Sequence, residues 1–272
     1  MRAARLLLAH SLKRVRTLVI AMGLLLGAFQ LVLILVARSV ENSNGFDQLT
    51  TLLPPFFREM LGPALTSFMS FSGIVSLGYF HMAVMSALIA ITIVLSTSPA
   101  AEIETGFIDL ILSRPVARHW IVTRSIVAVM LCSAFMLGMM MAGTFTGLRA
   151  LAPRDAAWPA PHTILSLAGN MGLLMLCWSG VAMAIAANAR RRSVAGALVG
   201  LLALMMFLLD YVGRLWKPAE KIAWLSPFRY FNPFDIVMGH PVPAKNLLVL
   251  TGVAIAGFAA AYVLYSRRDI SH

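Results

Sequence analysis

Six long apolar stretches run through the chain, at Leu18–Ala37, Gly73–Ser96, Ser125–Leu148, Ile164–Ala187, Val194–Val212 and Leu247–Tyr265. A hydrocarbon core of ~30 Å takes about 20 apolar residues in a helix, and each stretch comes close to that length or exceeds it. A barrel strand would instead show alternation over ~10 residues, and Leu201–Leu209 (LLALMMFLL) shows none. Lipid offers no water to satisfy backbone amides, so the stretches are predicted to be helices. The expected fold is all-α, a polytopic membrane protein with six transmembrane helices.

Polar residues fall between these stretches, and the basic ones crowd onto alternate connections. Segments 1–17, 97–124, 188–193 and 266–272 hold most of the 22 Lys and Arg, including Arg2, Lys13, Arg14, Arg114, Arg118, Arg190, Arg191, Arg267 and Arg268. The bias of Lys and Arg toward inner loops then places both termini in the cytoplasm. Arg214, Lys217, Lys221, Arg229 and Lys245, in the last outer connection, run against the trend. The apolar run at Leu18–Ala37 is longer than the roughly 7–15 residues of a signal-peptide core, and no clean A-x-A site follows it. It is read as an uncleaved first span.

Composition agrees. Hydrophobic residues make up 60% of the chain and charged residues 12%, against roughly 45–50% and 25% in soluble proteins. The formal charge of +11 invites a nucleic-acid reading, but the basic residues sit at the ends of apolar segments, where snorkelling and topology signals belong. Cys132 and Cys177 each fall inside a predicted helix, so neither a disulfide framework nor metal spacing is expected.

The connections differ in character. Residues 2–16 form a basic amphipathic stretch with Leu8, Leu12 and Val15 on one face, suited to a helix lying in the inner interface. Connection 38–72 is broken by Pro54, Pro55 and Pro63 yet rich in phenylalanine, and is expected to form short helices near the outer surface. Connection 213–246 interleaves Trp216, Trp224, Phe228, Tyr230 and Phe231 with Pro227 and Pro233, an aromatic segment of the interface. The short connections 149–163 and 188–193 are given no chemistry.

The most informative connection is 97–124, TSPAAEIETGFIDLILSRPVARHWIVTR. Ser98 can cap a helix and Pro99 fits its first position. Glu102 and Glu104 suit the positive end of a helix. Ile103, Phe107, Leu110 and Ile111 recur at helical spacing as one apolar stripe, and Pro115 ends the helix near Ser113 or Arg114. Gly106 weakens it. The expected element is a short cytoplasmic helix over 99–113 whose stripe presses on the span ends, on a partner, or on both.

Catalytic signatures are missing. The sequence has no H-E-x-x-H and no G-x-S-x-G. Glu102 and Glu104 stand two apart, so their side chains diverge on a helix. None of Lys13, Lys217, Lys221 and Lys245 follows a glycine, so the chain has no P-loop of its own. Ionisable groups in the spans, which a coupled carrier would need, are few. Asp210 is expected to pair with Arg214 one turn on, His81 to be packed or hydrogen-bonded, and Gln30 and Asn170 to bridge helices. Two other classes are weighed: an ion-coupled carrier, disfavoured by that scarcity, and a membrane-embedded lipid-modifying enzyme, disfavoured by the want of a catalytic pair.

Between spans two and three the order is an acidic residue, a glycine, an apolar patch and then S-x-P-V-x-R. Here these are Glu102, Glu104, Gly106, Leu110, Ile111, Leu112, Ser113, Pro115, Val116 and Arg118. Arg267–Arg268–Asp269–Ile270 follows the last span, and Ser226–Pro227–Phe228–Arg229–Tyr230–Phe231–Asn232–Pro233 precedes it. In these features the chain resembles the membrane (permease) subunit of type-2 ATP-binding-cassette (ABC) exporters. The resemblance implies a single transmembrane permease domain over 1–272, with an interfacial amphipathic helix at 1–17, a cytoplasmic coupling loop at 97–124 and an outer re-entrant or short-helix region at 213–246. It implies a second permease subunit, identical or different, and a separate ATPase (nucleotide-binding) subunit that carries ATP and Mg, this chain holding no cofactor. Coupling to the ATPase would fall to Glu102, Ile103, Glu104, Gly106, Phe107, Leu110, Ile111, Ser113, Arg114, Pro115 and Arg118. Of these, Glu102, Glu104, Arg114 and Arg118 are expected as rim charges that set docking register. The implied setting is a bacterial plasma membrane, the implied activity export of a substrate the sequence does not name.

Overall fold

Five of the six predicted spans are single helices, and the second is two. The computed structural model describes residues 2–42, 70–105 and 119–267. Among these the long helices are α1 (Arg2–Asn42), α5 (His119–Leu151), α6 (Pro161–Asn188), α7 (Arg192–Leu215) and α10 (Ala244–Arg267). The second span is divided into α2 (Phe71–Leu77) and α3 (Met82–Ser96). Short helices complete the described chain: α4 (Ser98–Glu104), α8 (Lys217–Glu220) and α9 (Pro233–Val237), with 3₁₀ turns at Ala223–Leu225 and Pro227–Tyr230. Among the described residues six segments are long and apolar enough to cross a membrane, which makes this a multi-pass membrane protein.

Two features depart from the sequence reading. The stretch 1–17 is not a separate element: α1 runs unbroken for 41 residues, about 60 Å at 1.5 Å per residue, or twice the hydrocarbon thickness. No proline or glycine interrupts Arg2–Met22, so the basic amphipathic part simply extends the span. The second span, by contrast, is interrupted at residues 78–81. There His81 caps α3, its Nδ1 accepting from the Ala83 amide at 3.3 Å, and its ring meets Phe29 edge-on.

The bundle rests on two intimate pairs, α1 along α5 and α6 along α10. In lipid there is no hydrophobic drive between helices, so close approach and hydrogen bonds must hold them. Gly180 of α6 lies against the backbone of Ala254 and Gly257 of α10. Hydroxyl pairs add to this: Tyr79 with Thr144 at 2.8 Å, Ser96 with Ser179 at 2.9 Å, and Thr123 with Tyr262 at 2.7 Å. Gln30 and Asn170 do not bridge helices as expected. Both are buried, with no hydrogen-bond partner on either amide.

Helix α7 is held along one stripe, Ala195, Val199, Ala203, Asp210 and Gly213. Its opposite face exposes Leu198, Leu201, Leu204, Met205 and Leu208. The segment after it folds back over its end: the Ser226 hydroxyl donates to the Met206 carbonyl at 2.7 Å, and Arg229 pairs with Glu220. Short helices thus occupy 213–246, as the prolines and aromatic residues suggest.

Candidate functional site

The end of the bundle where span two gives way to α4 brings together Lys13, Arg14, Glu102, Glu104, Arg124 and Arg192. Thr97 sits at the N-cap of α4 and its hydroxyl turns back to the Ile93 carbonyl at 2.9 Å, so the cap falls one residue before the expected Ser98. Pro99 lies in the first turn. The helix ends at Glu104, and residues 106–113 of the expected element lie outside the described residues. Thr105 follows as C-cap, its hydroxyl donating to the Ala101 carbonyl at 2.9 Å. Gly106 comes next in the sequence, where a residue of weak helix propensity favours a stop. Glu102 and Glu104 therefore stand in the last turn, at the negative end of the helix dipole, and need cations from elsewhere.

They find different ones. Glu102 is 6% exposed and Arg124, on α5, 4% exposed, and the two form a salt bridge through Arg124 Nη2. The expectation of a rim charge fails for Glu102, because Pro99, Ala100, Ala101 and Glu102 are all buried, so this turn of α4 is enclosed on every side. Burial pushes the Glu102 carboxyl above the usual carboxylate value, against the pull of the Arg124 charge and hydrogen bond and of the more distant Arg14 and His10. Nε and Nη1 of Arg124 have no partner. Glu104 is exposed and accepts from the Arg192 amide at 2.9 Å, at the start of α7. The Arg192 side chain reaches back to the Val94 carbonyl at the end of span two, also at 2.9 Å. Ile103 is half-buried against the core.

One short helix is thus tied to three spans. A cavity of about 780 Å³ opens beside it, lined by His10, Lys13, Arg14, Ser98, Glu102 and Arg192 among others. Its cations outnumber its carboxylate, whose charge is already met by Arg124. The remaining predicted coupling residues, Gly106, Phe107, Leu110, Ile111, Ser113, Arg114, Pro115 and Arg118, lie outside the described residues.

Sequence reasoning missed Arg124 as Glu102's partner and counted it only among the basic residues of segment 97–124. The signal was its position: Ile121, Ser125, Val129 and Cys132 make a buried stripe, and Arg124 shares that face. An arginine on a core stripe needs a buried partner.

Farther along the bundle, an apolar groove of about 400 Å³ runs between α3 and α7, lined by Met85, Ile89, Ile93, Gly200, Ala203 and Phe207 among others. The expected pair of Asp210 and Arg214 forms, with Arg214 Nε and Nη2 both 3.0 Å from Asp210 Oδ2. Among the described residues no cluster of His, Cys, Asp or Glu could hold a metal ion, and Cys132 and Cys177 are free and buried.

Residues 6–266 match the family described as "Multidrug efflux system permease Rv1217c, C-terminal domain". No curated protein matches the chain.

Proposed function

The chain belongs to this family of multidrug efflux permeases, and from that premise we propose that it is the permease subunit of an ABC exporter, driven by ATP hydrolysis on a separate subunit. ATP and Mg would be held by that ATPase and none by this chain. Two permease subunits would form the path across a bacterial plasma membrane. Segments 1–17 and 97–124 would face the cytoplasm, where the ATPase docks.

The observation that carries this reading is the anchoring of α4. A force applied to connection 97–124 reaches span three through Glu102 and Arg124, span five through Glu104 and the Arg192 amide, and span two through the single residue, Thr97, that separates α4 from α3. A plain surface loop has no use for a buried ion pair, whose desolvation nearly offsets its attraction. A lever that must move as one body with the spans does. The apolar groove between α3 and α7 lies between two of the spans so coupled, and its lining suits the hydrocarbon of a lipophilic substrate.

Replacing Phe107 and Leu110 together with aspartate is expected to abolish most of the recovery of the ATPase subunit in a detergent pull-down, while membrane insertion stays intact. Charges placed on an apolar docking stripe would have to be buried without partners. Undiminished recovery would remove this connection from the coupling role.

A further inference from the structure

The cavity beside α4 holds more positive charge than its surroundings answer. Lys13 and Arg14 of α1 and Arg192 of α7 line it, together with His10. Its one carboxylate, Glu102, is engaged by Arg124. Glu104 stands near Arg192 but accepts from the Arg192 backbone amide. Among the described residues no carboxylate forms an ion pair with the side chain of Lys13, Arg14 or Arg192. Arg192 is fixed in place, its Nη2 donating to the Val94 carbonyl at 2.9 Å. A neutral carbonyl answers a hydrogen bond but not a charge. The Arg14 charge acts on both Glu102 and Arg192, so its guanidinium lies on the cavity side, and at Arg192 it meets a like charge.

Basic residues at span ends serve as topology signals and need no site. This set differs in two ways. It converges on one cavity from two helices far apart in the sequence, and the cavity continues into an apolar wall. Leu18 and Val94 belong to that wall and are 43% and 40% exposed, so within their spans they open toward lipid. A soluble anion has no use for such a wall; a molecule with a charged head and apolar tails has. Basic pockets between spans take phosphate head groups, and the planar fork of arginine matches phosphate oxygens two at a time.

We propose that this cavity is a site for an anionic phospholipid of the adjoining leaflet, its phosphate between Arg14 and Arg192, Lys13 beside it, and its acyl chains leaving over Leu18 and Val94. The lipid would bridge α1 and α7 next to the short helix that ties spans two, three and five together. Such a site is independent of what the chain exports and of which face of the membrane this end meets.

The test is native mass spectrometry of the purified full-length chain in a neutral detergent. It is titrated with dimyristoyl phosphatidylglycerol, or with dimyristoyl phosphatidylcholine, which has the same tails and no net charge. The first phosphatidylglycerol is expected to bind roughly tenfold more tightly than the first phosphatidylcholine. Glycerol 3-phosphate, a head without tails, is expected not to displace it at matching concentration. The double variant Arg14→Gln, Arg192→Gln is expected to erase the preference. Arg267→Gln, in the last turn of α10 and outside the cavity, is expected to keep it. Equal binding of the two lipids overturns the proposal, as does a preference that survives the double variant. A preference lost as fully in Arg267→Gln would mean that the charge of this end as a whole attracts lipid, and displacement by glycerol 3-phosphate would assign the cavity to a soluble phosphate; either overturns it. Should the double variant fail to fold, Arg14→Gln alone changes an exposed side chain and is expected to weaken phosphatidylglycerol several-fold while leaving phosphatidylcholine unchanged. An unchanged preference there also overturns the proposal.

Discussion

Arg124→Met is expected to destabilise the chain by about 3–5 kcal/mol, the cost of stranding one member of a buried ion pair. Methionine fills the same space with a flexible apolar chain, so little of the loss comes from packing. It comes from Glu102, which is left 6% exposed with its principal cation gone. Cys132 and Cys177 are buried and free, so their reaction with a thiol-reactive fluorophore on heating reads unfolding directly. The double variant Glu102→Gln, Arg124→Met is expected to recover much of the loss, since an uncharged pair carries no stranded charge. If the single and double variants melt together, the pair does not hold α4 to α5.

The same pair gives a pH dependence with a definite sign. The folded chain holds the Glu102 carboxyl above its usual value because burial outweighs Arg124. Between the ordinary and the raised value the folded state binds more protons than the unfolded state, so stability falls as pH rises through that window. Removing Arg124 removes the main effect opposing burial and widens the window upward. The deficit of Arg124→Met is therefore expected to be largest at neutral pH and to shrink on acidification. Glu102→Gln is expected to flatten the dependence.

The spans were legible in the sequence because lipid imposes a simple rule: about 20 apolar residues, ended by polar or basic ones. The interruption at residues 78–81 was not, because hydropathy averaged over the length of a span smooths across four positions, and Phe71–Ser96 still scores as one apolar segment. The start of α4 was legible, but the burial of Glu102 was not. The stripe at Ile103 and the charges at Glu102 and Glu104 marked a shaped element. The assumption that carboxylates in a loop face water hid the fact that Glu102 points inward to Arg124. Local sequence reports which residues share a face, but the partner lay 22 positions away on another helix. Asp210 and Arg214, one turn apart, were read correctly because both sit on the same helix. The cavity beside them is walled by aromatic residues from positions 80 to 234, and no window on the sequence holds them together.

Close packing between α6 and α10 gives a prediction in which one chemical change has opposite outcomes on one helix. A Cβ added at Gly257 would stand 2.4 Å from the Gly180 carbonyl carbon and 2.6 Å from its oxygen. These are backbone atoms of α6, so nothing flexible can yield and the helices must separate. Gly257→Ala is therefore expected to cost about 1–3 kcal/mol, at the upper end of the range because the core around Gly180 depends on the same approach. Gly252, little more than one turn earlier on α10, has nothing within 4 Å of an added Cβ. There alanine meets no neighbour and gains helix propensity, up to about 1 kcal/mol. The check is thermal unfolding of the two variants side by side in one detergent, again through Cys132 and Cys177. Gly257→Ala should melt below the wild type and Gly252→Ala at or above it. Equal melting would mean that α6 and α10 do not approach as closely as the structure places them. The small residues at their contact would then be incidental to how the bundle holds together in lipid.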